Sequence, residues 1–321
     1  MAQIHLLSWP SPKGMCLGLV GLFFISLMSM FLYLDVVSEK QIGTPISDRT
    51  TKNDQIVREL SDITNRFNHG AVNSSTGVVM ASITNEDLSW LLDYCKESNT
   101  IPFVYTTETP PERDLLIPRT TRGREAAAYL SYVVDFYDRL PPYSIFVHSN
   151  PDQWHNDLFG PHTSVTLRNL RLEAVDVKGY VNLRCEHNPG CPTSVSPFRP
   201  TEIDIKNNDI RAFFPQVYQT LFDVPSADVP DEIGNVCCGQ FAVSRERIVS
   251  RPRADYERML EWAETTELTD NFGVGWVFEK VWHIVFGMEA LYCPRYEQCR
   301  CDAYGWCGPL PSGETLQAVM G

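Results

Sequence analysis

A chain of 321 residues that is 43% hydrophobic and 21% charged fits an ordinary globular composition, with one substantial domain plus appendages. Its 40 acidic residues outweigh 27 lysines and arginines, for a formal net charge of −13. That balance argues against broad nucleic-acid binding, which needs clustered Lys and Arg against phosphate, and suits a cationic ligand better.

Residues 1–13 form a short N-terminal tail, followed by the uncharged run Gly14 to Leu34. That run is long enough to span a bilayer. A secretory signal peptide is the rival reading, but the run exceeds a usual h-region and no clear small-x-small cleavage site follows. It is therefore read as an uncleaved signal anchor. Lys13 and the α-amine before the span, against Asp35 and Glu39 after it, place the bulk of the chain in a lumen. Residues 35–77 read as a polar stem, with a short helix expected over Asp54 to Phe67 and a glycosylation sequon at Asn73.

From Val78 strands and helices alternate. Val78 to Ile83 is a buried strand, and Leu88 to Leu92 carries a helical pattern. Between them Glu86 and Asp87 either face a ligand crevice, where open α/β sheets bind, or complement a helix N-terminus capped by Asn85. Ile101 to Thr106 is the second strand. After a Pro-stiffened loop, Arg122-Gly123-Arg124-Glu125 opens a helix through Asp138. Arg124 there grips a phosphate or carboxylate, or clamps Asp135 or Asp138.

Tyr143 to His148 is a further strand, and the loop beyond it holds Asp152, Trp154, His155 and Asp157. His148 and His155 lie in an H-x6-H spacing that is not a standard metal-ligand pattern, so the loop is read as substrate-contacting. Gly179 to Cys185 is strand-like, and Cys185 and Cys191 bracket a tight turn across which they can pair. Cys238 to Val243 is β-like, Ser244 caps a turn of helix, and Asp255 to Glu264 is helical. A last apolar helix runs from about Gly275 to Phe286, led in by Asp270. Glu279 and His283, four apart, share a face on it: either a self-satisfied surface pair or chemistry. Cys293, Cys299, Cys301 and Cys307 lack the paired knuckles of a zinc site and are expected to form two disulfides in a lumen. A bridge between the adjacent Cys237 and Cys238 is doubtful on geometric grounds. Residues 309–321 are a tail. The alternation predicts a three-layer α/β domain over residues 78–308 with a mainly parallel sheet, glycosyltransferase-A-like in kind.

Several separated motifs resemble one family. They are Asn85 to Leu91, Gly123 to Glu125, Phe146 to Asp157, Cys237-Cys238, Gln240 to Ile248, Arg251 to Arg253, Tyr256-Glu257, Val277 to Glu279, Trp282-His283 and Phe286-Gly287. Together they resemble a fungal domain-of-unknown-function family that includes arginine-containing cyclodipeptide synthases. The resemblance covers about Val78 to Cys307. It implies an enzyme that makes a cyclic dipeptide of arginine and a second amino acid, in small natural-product pathways. Its substrates would be arginyl-tRNA and a second aminoacyl-tRNA, with no cofactor, no resident metal and no stable nucleic-acid complex. On this reading Glu279 is the general base and His283 shares its proton, while Asp270, Glu86, Asp87, Arg124, His148 and His155 contact substrate. Those synthases carry two adjacent aspartates and a glutamate three residues on. No Asp-Asp pair occurs here, and Asp270-Asn271 with Glu279 is the nearest counterpart.

Two other classes fit the same chain. The tail, anchor, stem and disulfide-bearing α/β domain suit a luminal nucleotide-sugar glycosyltransferase, for which Glu202-x-Asp204 is the nearest metal-binding Asp-x-Asp. A luminal binding module without activity is the third.

Overall fold

The computed structural model describes residues 46–84 and 86–320. The anchor at Gly14–Leu34, the N-terminal tail, the first part of the stem and the proposed Asn85 cap lie outside the described residues. Among the described residues no helix is long and apolar enough to cross a membrane.

Along the chain, helix α1 (Ile46–Asn68) leads to strand β1 (Thr76–Ser82), α2 (Ser89–Ser98), β2 (Ile101–Thr106), α3 (Glu125–Phe136) and β3 (Tyr143–Phe146). Then come α4 (Thr163–Asn169), α5 (Leu172–Lys178), β4 (Tyr180–Asn182), α6 (Glu202–Lys206), α7 (Phe214–Phe222), β5 (Gly234–Asn235) and β6 (Phe241–Ser244). The chain closes with α8 (Arg245–Val249), α9 (Arg253–Thr265), α10 (Asn271–Val285), β7 (Leu291–Tyr292) and α11 (Tyr296–Tyr304).

Five strands form the main sheet in the order β2-β1-β3-β6-β4, and β5 pairs with β7 apart from it. Because side chains alternate across a strand, each face of the sheet acquires its own core. Val79, Phe103, Tyr105, Phe146, Phe241 and Val243 face α3, α7, α9 and α10. Val78, Met80, Val104, Ile145, Val181 and Ala242 face α1, α2, α5 and α11. Helices thus flank both faces, as the alternating pattern predicts. The mainly parallel expectation needs correction, since the sheet is mixed. β1 runs parallel to β2 and β3, whereas β6 is antiparallel to both β3 and β4. Strand–helix alternation identifies crossovers but carries no signal for one strand entering from the opposite end. That reversal puts the N-terminal flank of β6, Cys237 to Gln240, beside the C-terminal end of β3.

The stretch read as stem includes a substantial part of the fold. On α1, Ile56, Val57 and Leu60 are buried, the Thr64 hydroxyl donates to the Pro102 carbonyl, and Phe67 meets Phe103 edge-on at 5.7 Å. Pro102 and Phe103 belong to β2, an edge strand, which tolerates proline and needs a cover. The Asn73 side chain lies on the surface.

The six candidate cysteines are all bridged, but only Cys301–Cys307 stays within the local groups expected. Cys185 bridges Cys299, Cys191 bridges Cys293, and Cys301 bridges Cys307. The first two tie the segment after β4 to α11 and to the residues before it, more than 100 positions away, so proximity in sequence was a poor guide. Cys237 and Cys238 bridge each other. Cys95 is buried and unbridged, and burial pushes its thiol pKa up, out of the reactive range.

Candidate functional site

Ligand sites in open α/β sheets lie beyond the C-terminal ends of strands, and this molecule has a cavity there. It measures about 730 Å³, within the range that holds a small molecule. Ala81 enters it from the end of β1, Ile83 and Glu86 after that strand, Thr107 and Glu108 after β2, and His148, Ser149, Asn150, Gln153, Trp154 and His155 after β3. Thr121, Arg124 and Glu125 come from the start of α3, Cys237 and Cys238 from the flank of β6, and Asn271 and Glu279 from α10.

The turn before α3 is held from several directions. Arg122 donates to the carbonyls of Glu264, Thr266 and Thr269, and the Gly123 amide donates to Asn271 Oδ1 at 2.7 Å. Gly123 has φ +102°, and a side chain there would strike Val274. Arg124 follows with φ +53°, a conformation that non-glycine residues seldom adopt and that persists only when its surroundings impose it. Its guanidinium lies over the Phe272 ring at 4.9 Å, and among the described residues no hydrogen bond or ion pair engages it. Asp135, offered as its partner, pairs with Arg119 instead, and Asp138 lies near Arg253. Arg124 is therefore presented to the cavity.

Across the cavity Gln240 organises the histidines. Its Oε1 accepts from the His148 amide at 3.1 Å, and its Nε2 reaches Asn156 Oδ1 at 3.0 Å and His155 Nδ1 at 3.4 Å. His148 Nε2 lies 2.9 Å from the Cys238 carbonyl, to which it donates. Burial first, then the neighbouring His148 and Arg184, depress the His155 pKa to about 4. His155 is thus a neutral imidazole that accepts from Gln240. Asp152 pairs with His162, and Asp157 accepts from the amides of Cys185 and Glu186. Both acids brace the loop, and among the described residues no three His, Cys, Asp or Glu side chains converge as a metal cluster.

The proposed Glu279–His283 pair is not brought together. Glu279 lines the cavity and pairs with Lys280 Nζ at 2.9 Å. His283 is completely buried and its Nε2 lies 3.1 Å from the Ala290 carbonyl. Four residues separate them, yet the helix turns one to the cleft and the other into the core. Asp270 caps α10 by accepting from the Gly273 amide at 2.8 Å, and the cavity wall passes to its neighbour Asn271. Glu86 lines the cavity while accepting from the Ser82 hydroxyl and the Ile83 amide, both at 3.0 Å. Asp87 instead accepts from the Ser89 amide at the start of α2. Asp204, the last acid of the Asp-x-Asp candidate, makes a capping box with Thr201 on α6 and does not line this cavity.

Sequence reasoning missed Glu108, Glu125 and Pro189. Glu108 follows a strand end, the position that already directed attention to Glu86. Glu125 stands inside the Gly-Arg-Glu motif, beside the arginine that drew the attention. Pro189 had no local signal, because the long-range disulfides carry its turn to the cleft.

A family model described as "Protein of unknown function (DUF3431)" matches residues 78–302. No curated protein and no solved structure matches the chain.

Proposed function

Because the chain belongs to the DUF3431 family across residues 78–302, and that description leaves function open, we propose a function from the chemistry of the cleft. It is a transferase for a guanidinium-bearing acyl donor: an arginine-containing cyclodipeptide synthase. One observation carries the reading. Among the described residues the cavity is lined by the carboxylates of Glu86, Glu108, Glu125 and Glu279 and by a single guanidinium, Arg124. Carboxylates bind guanidinium through paired, charge-assisted hydrogen bonds, and several in one cleft favour a cation. In the reaction the amine of one aminoacyl ester attacks the carbonyl of the other. An amide forms, the first ester C–O bond breaks, and the tRNA hydroxyl leaves with the proton. The remaining amine then closes the ring on the second ester, releasing the second tRNA. Glu279 takes the amine proton and returns it to the departing oxygen. Arg124, held at the start of α3, receives the negative charge of a terminal phosphate or a developing oxyanion.

A second reading, a luminal glycosyltransferase-like enzyme, is favoured by a different observation. Four disulfides suit an oxidising compartment, where charged tRNA is not supplied, and the single reversed strand suits a glycosyltransferase-A-like sheet.

Mass spectrometry of a fungal or yeast host expressing the full chain separates these readings. The synthase reading expects an arginine-containing diketopiperazine that falls about 100-fold or more in Glu279→Gln. No such product, together with an endoglycosidase-sensitive glycan on Asn73, would sink the synthase reading and support the luminal enzyme.

A further inference from the structure

The carboxylates are only part of the lining of the cleft. The lining also carries groups of a different character: the bridged Cys237–Cys238 pair, Pro189 and Trp154. Trp154 is 72% exposed, which for a side chain of its size forgoes a large burial gain. It is nevertheless held in place. The Arg184 guanidinium lies 5.4 Å from the centre of its ring, and His155 meets it edge-on at 5.3 Å. Arg184 is itself fixed, donating to the carbonyls of His155, Asn188 and Glu186. An exposed indole positioned by a buried, triply bonded arginine is arranged for contact rather than left over from folding.

The cysteine pair contributes a second rigid surface. A disulfide between neighbours closes a small ring through their shared peptide bond, so it has little conformational freedom to lose when a ligand settles on it. Two of its backbone groups are already engaged: the Cys238 carbonyl accepts from His148 Nε2 at 2.9 Å, and the Cys237 amide donates to the Pro189 carbonyl at 3.2 Å. The pair also offers polarizable sulfur, which makes favourable contacts with aromatic groups. Pro189 adds a third rigid ring.

We propose that the Cys237–Cys238 disulfide, Trp154 and Pro189 form a subsite for the ring of a small aromatic moiety, in the same cavity that the carboxylates line. The cavity volume of about 730 Å³ sets the scale of the occupant at a small molecule or dipeptide. On the synthase reading this subsite takes the second amino acid, which would carry an aromatic side chain. The subsite rests on the cavity being the ligand site and not on the reaction performed there.

The test uses the purified, oxidised full chain and two probes followed by calorimetry: N-acetyl-tyrosinamide for the subsite and arginine methyl ester for the carboxylates. N-acetyl-tyrosinamide is expected to bind, and to weaken about tenfold in Trp154→Ala and in the Cys237→Ala/Cys238→Ala double variant. Arginine methyl ester should change by less than about twofold in both, because its carboxylate partners are untouched. Trp154 is a surface residue, so its variant keeps the test available if the cysteine variant fails to fold. Failure of N-acetyl-tyrosinamide to bind, or equal affinity in wild type and Trp154→Ala, overturns the subsite. Binding of the aromatic probe without any binding of arginine methyl ester overturns the guanidinium reading and leaves the subsite standing.

Discussion

Removing the two long-range disulfides together, by replacing Cys185, Cys191, Cys293 and Cys299 with alanine, is expected to remove a large part of the protein's stability. The bridges are nested: 191–293 closes the inner loop, and 185–299 encloses it. The inner bridge alone restrains a span of 102 positions, worth about 4–5 kcal/mol in chain-entropy terms. With it in place, the outer bridge closes only the two short arms from 185 to 191 and from 293 to 299. Such a loop of a dozen or so residues contributes about 3 kcal/mol. Loss of the outer pair alone should therefore lower stability by about 3 kcal/mol, and loss of both by about 7–8, against a usual total of about 5–15. Denaturant titration of the wild type, Cys185→Ala/Cys299→Ala and the fourfold variant checks this. Equal midpoints would refute the account.

Acid should destabilise the protein well above the range in which carboxylates protonate. His283 is fully buried, its Nδ1 has no hydrogen-bond partner among the described residues, and its pKa is depressed to about 4, chiefly by burial. In the unfolded chain the same imidazole takes up its proton near pH 6.5. The folded state holds the neutral form, so its contribution is fully present above pH 6.5. It declines as the pH falls, because the unfolded state then binds the extra proton, and it is gone below about pH 4. A shift of this size corresponds to about 3 kcal/mol. His155, depressed to about 4 for the same leading reason, acts in the same direction. The stability slope between pH 6.5 and 4 should flatten in His283→Gln. A His283 resonance that titrates near 6.5 in the native protein would contradict the burial argument.

The sequence was most legible where chemistry and chain position coincide. The strands expected at Val78–Ile83 (found at Thr76–Ser82) and Ile101–Thr106, the helix expected to open over Arg122 to Glu125 (found at Glu125–Phe136) and the loop after His148 were readable, because apolar runs and turn residues mark them locally. Glu86, Arg124, His148, His155 and Glu279 do line the cavity. The motifs that drew attention also contain many residues whose work is structural. Phe241, Trp282 and Phe286 form one aromatic cluster with Tyr129 and Phe146. Arg251 donates to the Ile284 and Val285 carbonyls and so caps the end of α10. The Tyr256 hydroxyl donates to the Ile248 carbonyl. A motif reports that residues matter, not whether they pack or react, and Glu279 and His283 divide along that line. The cysteine connectivity and the reversal of β6 were out of reach because both are set by tertiary neighbours.

The helix that covers β2 bears on how the molecule behaves when shortened. A chain cut to begin at Val78, where the family match starts, would lose Thr64 and Phe67 and with them the groups lying against Pro102 and Phe103. It would present an uncovered strand border and a bare aromatic ring to other copies of itself. Such borders recruit further strands between molecules. The shortened chain should collect in the insoluble fraction, whereas one beginning ahead of Asn53 keeps its own cover.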